Sequence, residues 1–168
     1  MKKNCIPLFL CIIFCGCSSL PKETFSFTPT NEIEPFDYKS RNVSVSIDYV
    51  NETVIADQVS TLLDTQFANN SENKNSKNIV YIDFNVVQRS FIQNIEQKNT
   101  IYINVIGYDF NDNIVLRENF YLTGNQTFIS SVVQYKCVNN VTKKLLNYQK
   151  SVNKDYIKQN KNAESENQ

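Results

Sequence analysis

The strongest constraint on this chain is an alternation of apolar and polar residues with period two, repeated along its length. Val43, Val45, Ile47 and Tyr49 alternate with Ser44, Ser46 and Asp48. Val80, Ile82, Phe84 and Val86 do the same within residues 79–87, and residues 100–110 and 114–122 are strand-like runs of the same kind. Successive side chains of an extended strand point to opposite faces, so each stretch predicts a strand with one face reserved for a core.

Two further segments repeat at helical spacing. Ile55, Val59, Leu62, Leu63 and Phe67 form one apolar stripe, with Asn51 as the expected N-cap and Glu52 in the first turn. Val133, Cys137, Val141, Leu145 and Tyr148 form another, in a helix expected to begin near Thr127. Residues 68–78 read as a polar loop. Asn111-Asp112-Asn113 reads as a hairpin turn, because Asn and Asp tolerate the positive φ that such turns need. The predicted order is β-α-β-β-β-α. Burying one face of each strand and one stripe of each helix predicts an α+β two-layer sandwich. Its sheet is antiparallel, of about four strands, with both helices on one face.

The N-terminus obeys a different logic. Lys2 and Lys3 precede an apolar run from Cys5 to Cys15, broken only by Pro7 and far shorter than the ~20 residues that span a bilayer. It ends in Phe14-Cys15-Gly16-Cys17. This resembles the lipobox of bacterial lipoproteins, with Gly16 before the cysteine that is lipidated and exposed by cleavage; Phe14 stands where Leu is usual. The resemblance implies a signal peptide over 1–16 and a lipid attached to Cys17. The alternatives are an ordinary cleaved signal and an uncleaved anchor. Ser18 rather than Asp after the cysteine is similar to what directs such lipoproteins to the outer rather than the inner membrane.

Pro21, Pro29 and Pro35 with scattered charges make residues 17–41 a tether, within which 24–28 alternate as a candidate edge strand. Residues 42–152 are then the domain. Residues 153–168 lack periodicity and are expected to be a frayed or disordered polar tail.

The whole chain balances 17 basic against 17 acidic residues, and loss of Lys2 and Lys3 leaves 15 against 17. No concentrated basic patch suggests a nucleic-acid partner. The chain has no His, so Ser-His, Cys-His and His-metal chemistry is excluded. Four of its five cysteines lie at or before Cys17, without the paired spacing of a zinc site. Asp109 and Asp112 belong to a turn, and Asp57 and Asp64 to an outer helix face. Cys137 stands in an apolar stripe, where a small buried hydrophobe is expected. No catalytic residue, metal site or cofactor is expected, and the chain reads as a non-enzyme.

The domain pattern, with its hairpin from Ile101-Tyr102-Ile103 through Asn111-Asp112-Asn113 to Ile114-Val115-Leu116, is similar to two kinds of small envelope lipoprotein. These are the auxiliary lipoproteins of lipid-transporting ABC systems and the lipopolysaccharide-assembly lipoproteins. The resemblance implies an accessory or adaptor to a membrane-protein or lipid-transport complex, with membrane lipid bound through Cys17 and an envelope protein as partner. A surface-exposed lipoprotein that binds an external or host ligand is the alternative. Two helices cover one face of such a sheet, and residues 100–110 are apolar on both sides. Tyr102, Tyr108 and Phe110 are therefore expected to form a partner- or lipid-binding surface on the other face.

Overall fold

Alternation gives strands and the two stripes give helices in a computed structural model that describes residues 35–70 and 78–166, with side chains as far as 158. The elements are β1 (Phe36–Ile47), β2 (Val50–Asn51), α1 (Thr53–Asn70), β3 (Asn78–Gln93), β4 (Glu96–Tyr108), β5 (Ile114–Gly124) and α2 (Ser131–Glu166). The class is α+β. The expected signal segment, Cys17 and residues 24–28 lie outside the described residues.

The sheet departs from the expected four antiparallel strands. It has five, in the order β2-β1-β3-β4-β5, and β1 runs parallel to β3 while every other pair is antiparallel. The cause is α1. A tight turn can join only antiparallel neighbours, whereas a helix returns the chain to the end from which it came, so the next strand sets out in the same direction.

The extra strand comes from a tight turn at Asp48-Tyr49. Asp48 and Tyr49 both have positive φ (46° and 75°), and the chain folds back so that Ile47 pairs with Val50 and Ser46 with Asn51. Asn51 therefore lies in β2 rather than capping α1. Glu52 takes the cap position: its carbonyl accepts from the Ala56 N–H at 3.0 Å, and its own N–H donates to the Val45 carbonyl at 2.8 Å.

Both boundaries of the domain also move outward. β1 starts at Phe36, inside the stretch expected to be tether, because Phe36 and Tyr38 reach the helix-covered face and are buried there. The register skips Arg41 between Ser40 and Asn42, a bulge that bends the strand. α2 starts at Ser131 rather than near Thr127 and continues to Glu166, through the expected tail. Beyond Tyr148 it still buries Gln149 and Asn153 and packs Val152 against the core. The residues after that include many Lys, Gln and Glu, which favour helix without offering apolar periodicity.

One core joins both helices to one sheet face. Ile55, Val59, Leu63 and Phe67 of α1, with Val133, Cys137, Val141 and Leu145 of α2, close over Val45, Ile47, Val80, Ile82, Phe84, Val86, Ile101, Ile103 and Val105. Leu62 was expected in this layer but is half-buried at its margin, one helical step from the fully buried Leu63. Gly107 is the close approach that lets β3, β4 and β5 pack. A Cβ there would lie 2.9 Å from both Leu116 Cβ and Val80 Cγ1.

Truncating Leu63 or Leu145 to Ala is expected to cost about 2–5 kcal/mol, as deletion of buried leucine does. Leu62→Ala is expected to cost clearly less. Chemical denaturation of the three variants checks the assignment, and an equal loss at positions 62 and 63 would contradict it.

Candidate functional site

The face away from the helices carries the residues expected to meet a partner. Alternation along β4 puts Thr100, Tyr102, Asn104, Ile106 and Tyr108 on it, opposite the buried Ile101, Ile103, Val105 and Gly107. Register then defines rows across the sheet. Ser46, Val87, Tyr102 and Tyr121 form one, and Ser44, Asn85, Asn104 and Asn119 the next. Tyr81 and Tyr108 pair at the end nearer the start of β1.

These rows differ in chemistry. Tyr102 is 53% exposed, its ring 6.5 Å from that of Tyr121, and the pair forms an aromatic platform. The neighbouring row is polar and tied laterally: Ser44 Oγ donates to Asn85 Oδ1 at 2.7 Å, and Asn104 Nδ2 donates to Asn119 Oδ1. Tyr108 is half-buried because the Arg41 guanidinium lies over its ring, 3.8 Å from the centroid. Arg41 also donates two hydrogen bonds to the Asp83 carboxylate at 2.9 Å and one to Asp112 at 2.7 Å. The β1 bulge frees Arg41 from the ladder for this role.

Tyr102 and Tyr108 are thus on one face but not in one patch. Six residue steps along β4 separate them by roughly 20 Å, with the polar row and Ile106 between. Phe110 is 80% exposed, in the β4–β5 connection beyond the end of the face. There Asp109 organises the turn, its Oδ1 accepting from the Asn111 and Asn113 N–H groups at 2.8 and 2.9 Å. Asp112 has φ 62°, as the turn reading requires. A continuous apolar lipid groove is not what the face offers. It offers an aromatic platform, a polar row and an arginine-covered tyrosine.

The opposite end of the sheet holds features that the sequence reading leaves out. β3 and β4 run on to a two-residue turn, Asn94-Ile95, with φ 52° and 68°. Ile95 is fully exposed, Ile92 is 80% exposed, and Tyr49 of the neighbouring β1–β2 turn is 84% exposed. Asp48 joins the two turns, accepting from Ser90 N–H at 2.7 Å and Ser90 Oγ at 2.5 Å, while Arg89 lies over the Tyr49 ring at 4.0 Å. Asn94 was the available signal, since it tolerates positive φ; an isoleucine in the second turn position hid it.

Cys137 is buried in the core, and burial pushes its thiol up to about 11, so it stays protonated at neutral pH.

No family model matches the chain, and no curated protein matches it. Among solved structures the domain is similar to the crystal structure of a neuraminyllactose-binding hemagglutinin homologue from Helicobacter pylori. The identity is 11% and the TM-score 0.44, over 79% of this chain and 95% of that one.

The carboxylates that organise the turns make a test of this geometry. Asp48 is held below its ordinary value of 3.8 by the Ser90 hydroxyl first and the Ser90 N–H second. Asp109 is held below it chiefly by the Asn113 side chain. A carboxylate lowered on folding stabilises the fold fully above its unfolded value and loses that contribution as pH falls through the folded one. Asp48→Asn and Asp109→Asn should therefore flatten the fall of stability below about pH 4. Acid titrations of melting temperature that match the unmodified chain would contradict these bonds.

Proposed function

We propose that this chain is a lipid-anchored, non-enzymatic envelope lipoprotein whose domain acts as a binding module, an accessory or adaptor to a membrane-protein or lipid-transport complex. The observation that carries this reading is the sheet face left without helices. Antiparallel sheets commonly leave one face to solvent, and such a face normally carries polar residues. This one instead exposes Tyr102 beside Tyr121, and Tyr is among the residues that dominate binding energy at protein interfaces.

The face suits a protein partner better than a lipid one. The row Ser44, Asn85, Asn104 and Asn119 crosses the middle of the face, and an acyl chain laid there would leave those groups without water. The same polar row favours a second reading, a surface-displayed lipoprotein that binds a hydrated external ligand. The two differ in where the domain faces. Protease resistance on intact cells supports the accessory role, and digestion supports surface display.

Two outcomes are expected. Cys17→Ser abolishes incorporation of a fatty-acid analogue and releases the chain from the membrane fraction; labelling that survives the substitution contradicts lipidation at that residue. Tyr102→Ser leaves the melting temperature nearly unchanged, since the ring is half in solvent, and reduces recovery of co-purifying partners at least several-fold. A lowered melting temperature with full recovery would assign Tyr102 to the fold alone.

A further inference from the structure

We propose that the paired hairpin tips, Tyr49-Val50 and Phe91-Ile92 with Ile95, dip into the interfacial layer of a lipid bilayer, as a second membrane contact distinct from the open sheet face. The tips set their apolar side chains where the domain has no use for them. Ile95 has no contact with the rest of the fold that covers it, being 100% exposed, and Ile92, Tyr49 and Val50 are also exposed. Ile95 carries a second cost. A β-branched residue at φ 68° is strained in a turn that glycine would occupy freely. Exposure and strain at one residue, with nothing gained inside the domain, point to something gained outside it.

The tips are also built as a unit. Asp48 accepts from the N–H and the hydroxyl of Ser90, Asn99 Oδ1 lies 2.9 Å from the same Ser90 Oγ and shares its one proton, and Asn99 Nδ2 donates to the Gln126 carbonyl at 3.0 Å. Two turns that would otherwise move separately are braced against the loop leading to α2.

A bilayer fits better than a protein cleft for two reasons. The first is the order of chemistry along the hairpin. Ile95 stands in the turn itself, Ile92 lies behind the Gln93–Glu96 pair, Phe91 pairs across from Lys98 one step further back, and Arg89 lies beyond that over the Tyr49 ring. Among these residues the aliphatic ones lie nearest the turn and the cations lie level with the aromatic ring or behind it, the order suited to a tip that meets the boundary between acyl chains and phosphate headgroups. Glu96 pairs with Gln93 in the row next to the turn, which limits the tip to the hydrated interfacial layer. The second reason is reach, and it rests on the lipidation of Cys17 proposed above. Residues 18–35 extend at most about 60 Å, while β3 with its 16 residues is roughly 50 Å long, so the tip can return to the membrane that holds the anchor.

The chain contains no tryptophan, so one introduced tryptophan reports alone. The experiment places it at Ile95, at Ile92 in an ordinary strand conformation, and at the exposed Phe110 at the other end of β4. Each full-length lipidated chain is reconstituted into phosphatidylethanolamine–phosphatidylglycerol vesicles, with and without brominated acyl chains. For I95W and I92W the expected result is emission at shorter wavelength and quenching by the brominated lipid, while F110W stays water-exposed and unquenched. Tip tryptophans as water-exposed as F110W in a chain that floats with the vesicles would overturn the proposal and leave the anchor standing. A blue shift that depends on protein concentration and not on vesicles would overturn it in favour of self-association. Flotation of a Cys17→Ser chain with its tip tryptophan quenched would support the tip independently of the anchor. A Cys17 chain that does not float refutes both.

Discussion

Everything distinctive about this domain follows from both helices being laid on the same face of one sheet. Burial of apolar area is the main favourable term in folding, and here it is spent on a single layer interface. Val59, Leu63 and Phe67 close that layer from α1, and Val141 and Leu145 close it from α2. The other face is thereby left for something else to meet. Specific polar contacts then choose the arrangement. The Tyr38 hydroxyl donates to the Leu145 carbonyl at 3.1 Å, and Gln149 Nε2 donates to the Phe36 carbonyl at 2.6 Å, which moors the first strand to the last helix. Gln88 takes the Phe128 N–H at 2.6 Å and fixes where α2 begins. Left unpaired in the core, each of these groups would cost more than the bond returns when made.

Much of this was legible in the residues because it rests on periodicity. The strand cores at Val45, Ile82, Phe84 and Ile103 and the stripes through Ile55 and Leu145 stand where their spacing put them. What escaped was set by contacts between residues distant in the chain. Nothing local in Phe36-Asp37-Tyr38 after Pro35 marks a strand; it is one because β3 lies alongside. Pattern alone also does not distinguish a parallel neighbour from an antiparallel one. Tyr49 and Ile95 adopt positive φ without being Gly, Asn or Asp, so both turns lacked their usual signature.

The candidate surface was legible in the same uneven way. Alternation along β4 was enough to set Tyr102 and Tyr108 on the uncovered face. It could not reveal that Arg41, in a bulge of a strand read as tether, lies over Tyr108, nor that an Asn and Ser row divides the face. That row is why the surface suits a partner that satisfies polar groups better than an acyl chain. The exposed turns at the opposite end give the domain a second, chemically different surface, so the membrane contact and the partner contact proposed above would not compete for the same residues.

The central claim, that the open face is the working surface, is tested most directly by photo-crosslinking in intact cells. A benzoylphenylalanine is placed at Tyr102, and in a separate chain at Tyr135, which is equally exposed but on the helix side. A discrete protein adduct from position 102 and none from 135 is the predicted result. Adducts from 135 alone, or equal adducts from both, would contradict it.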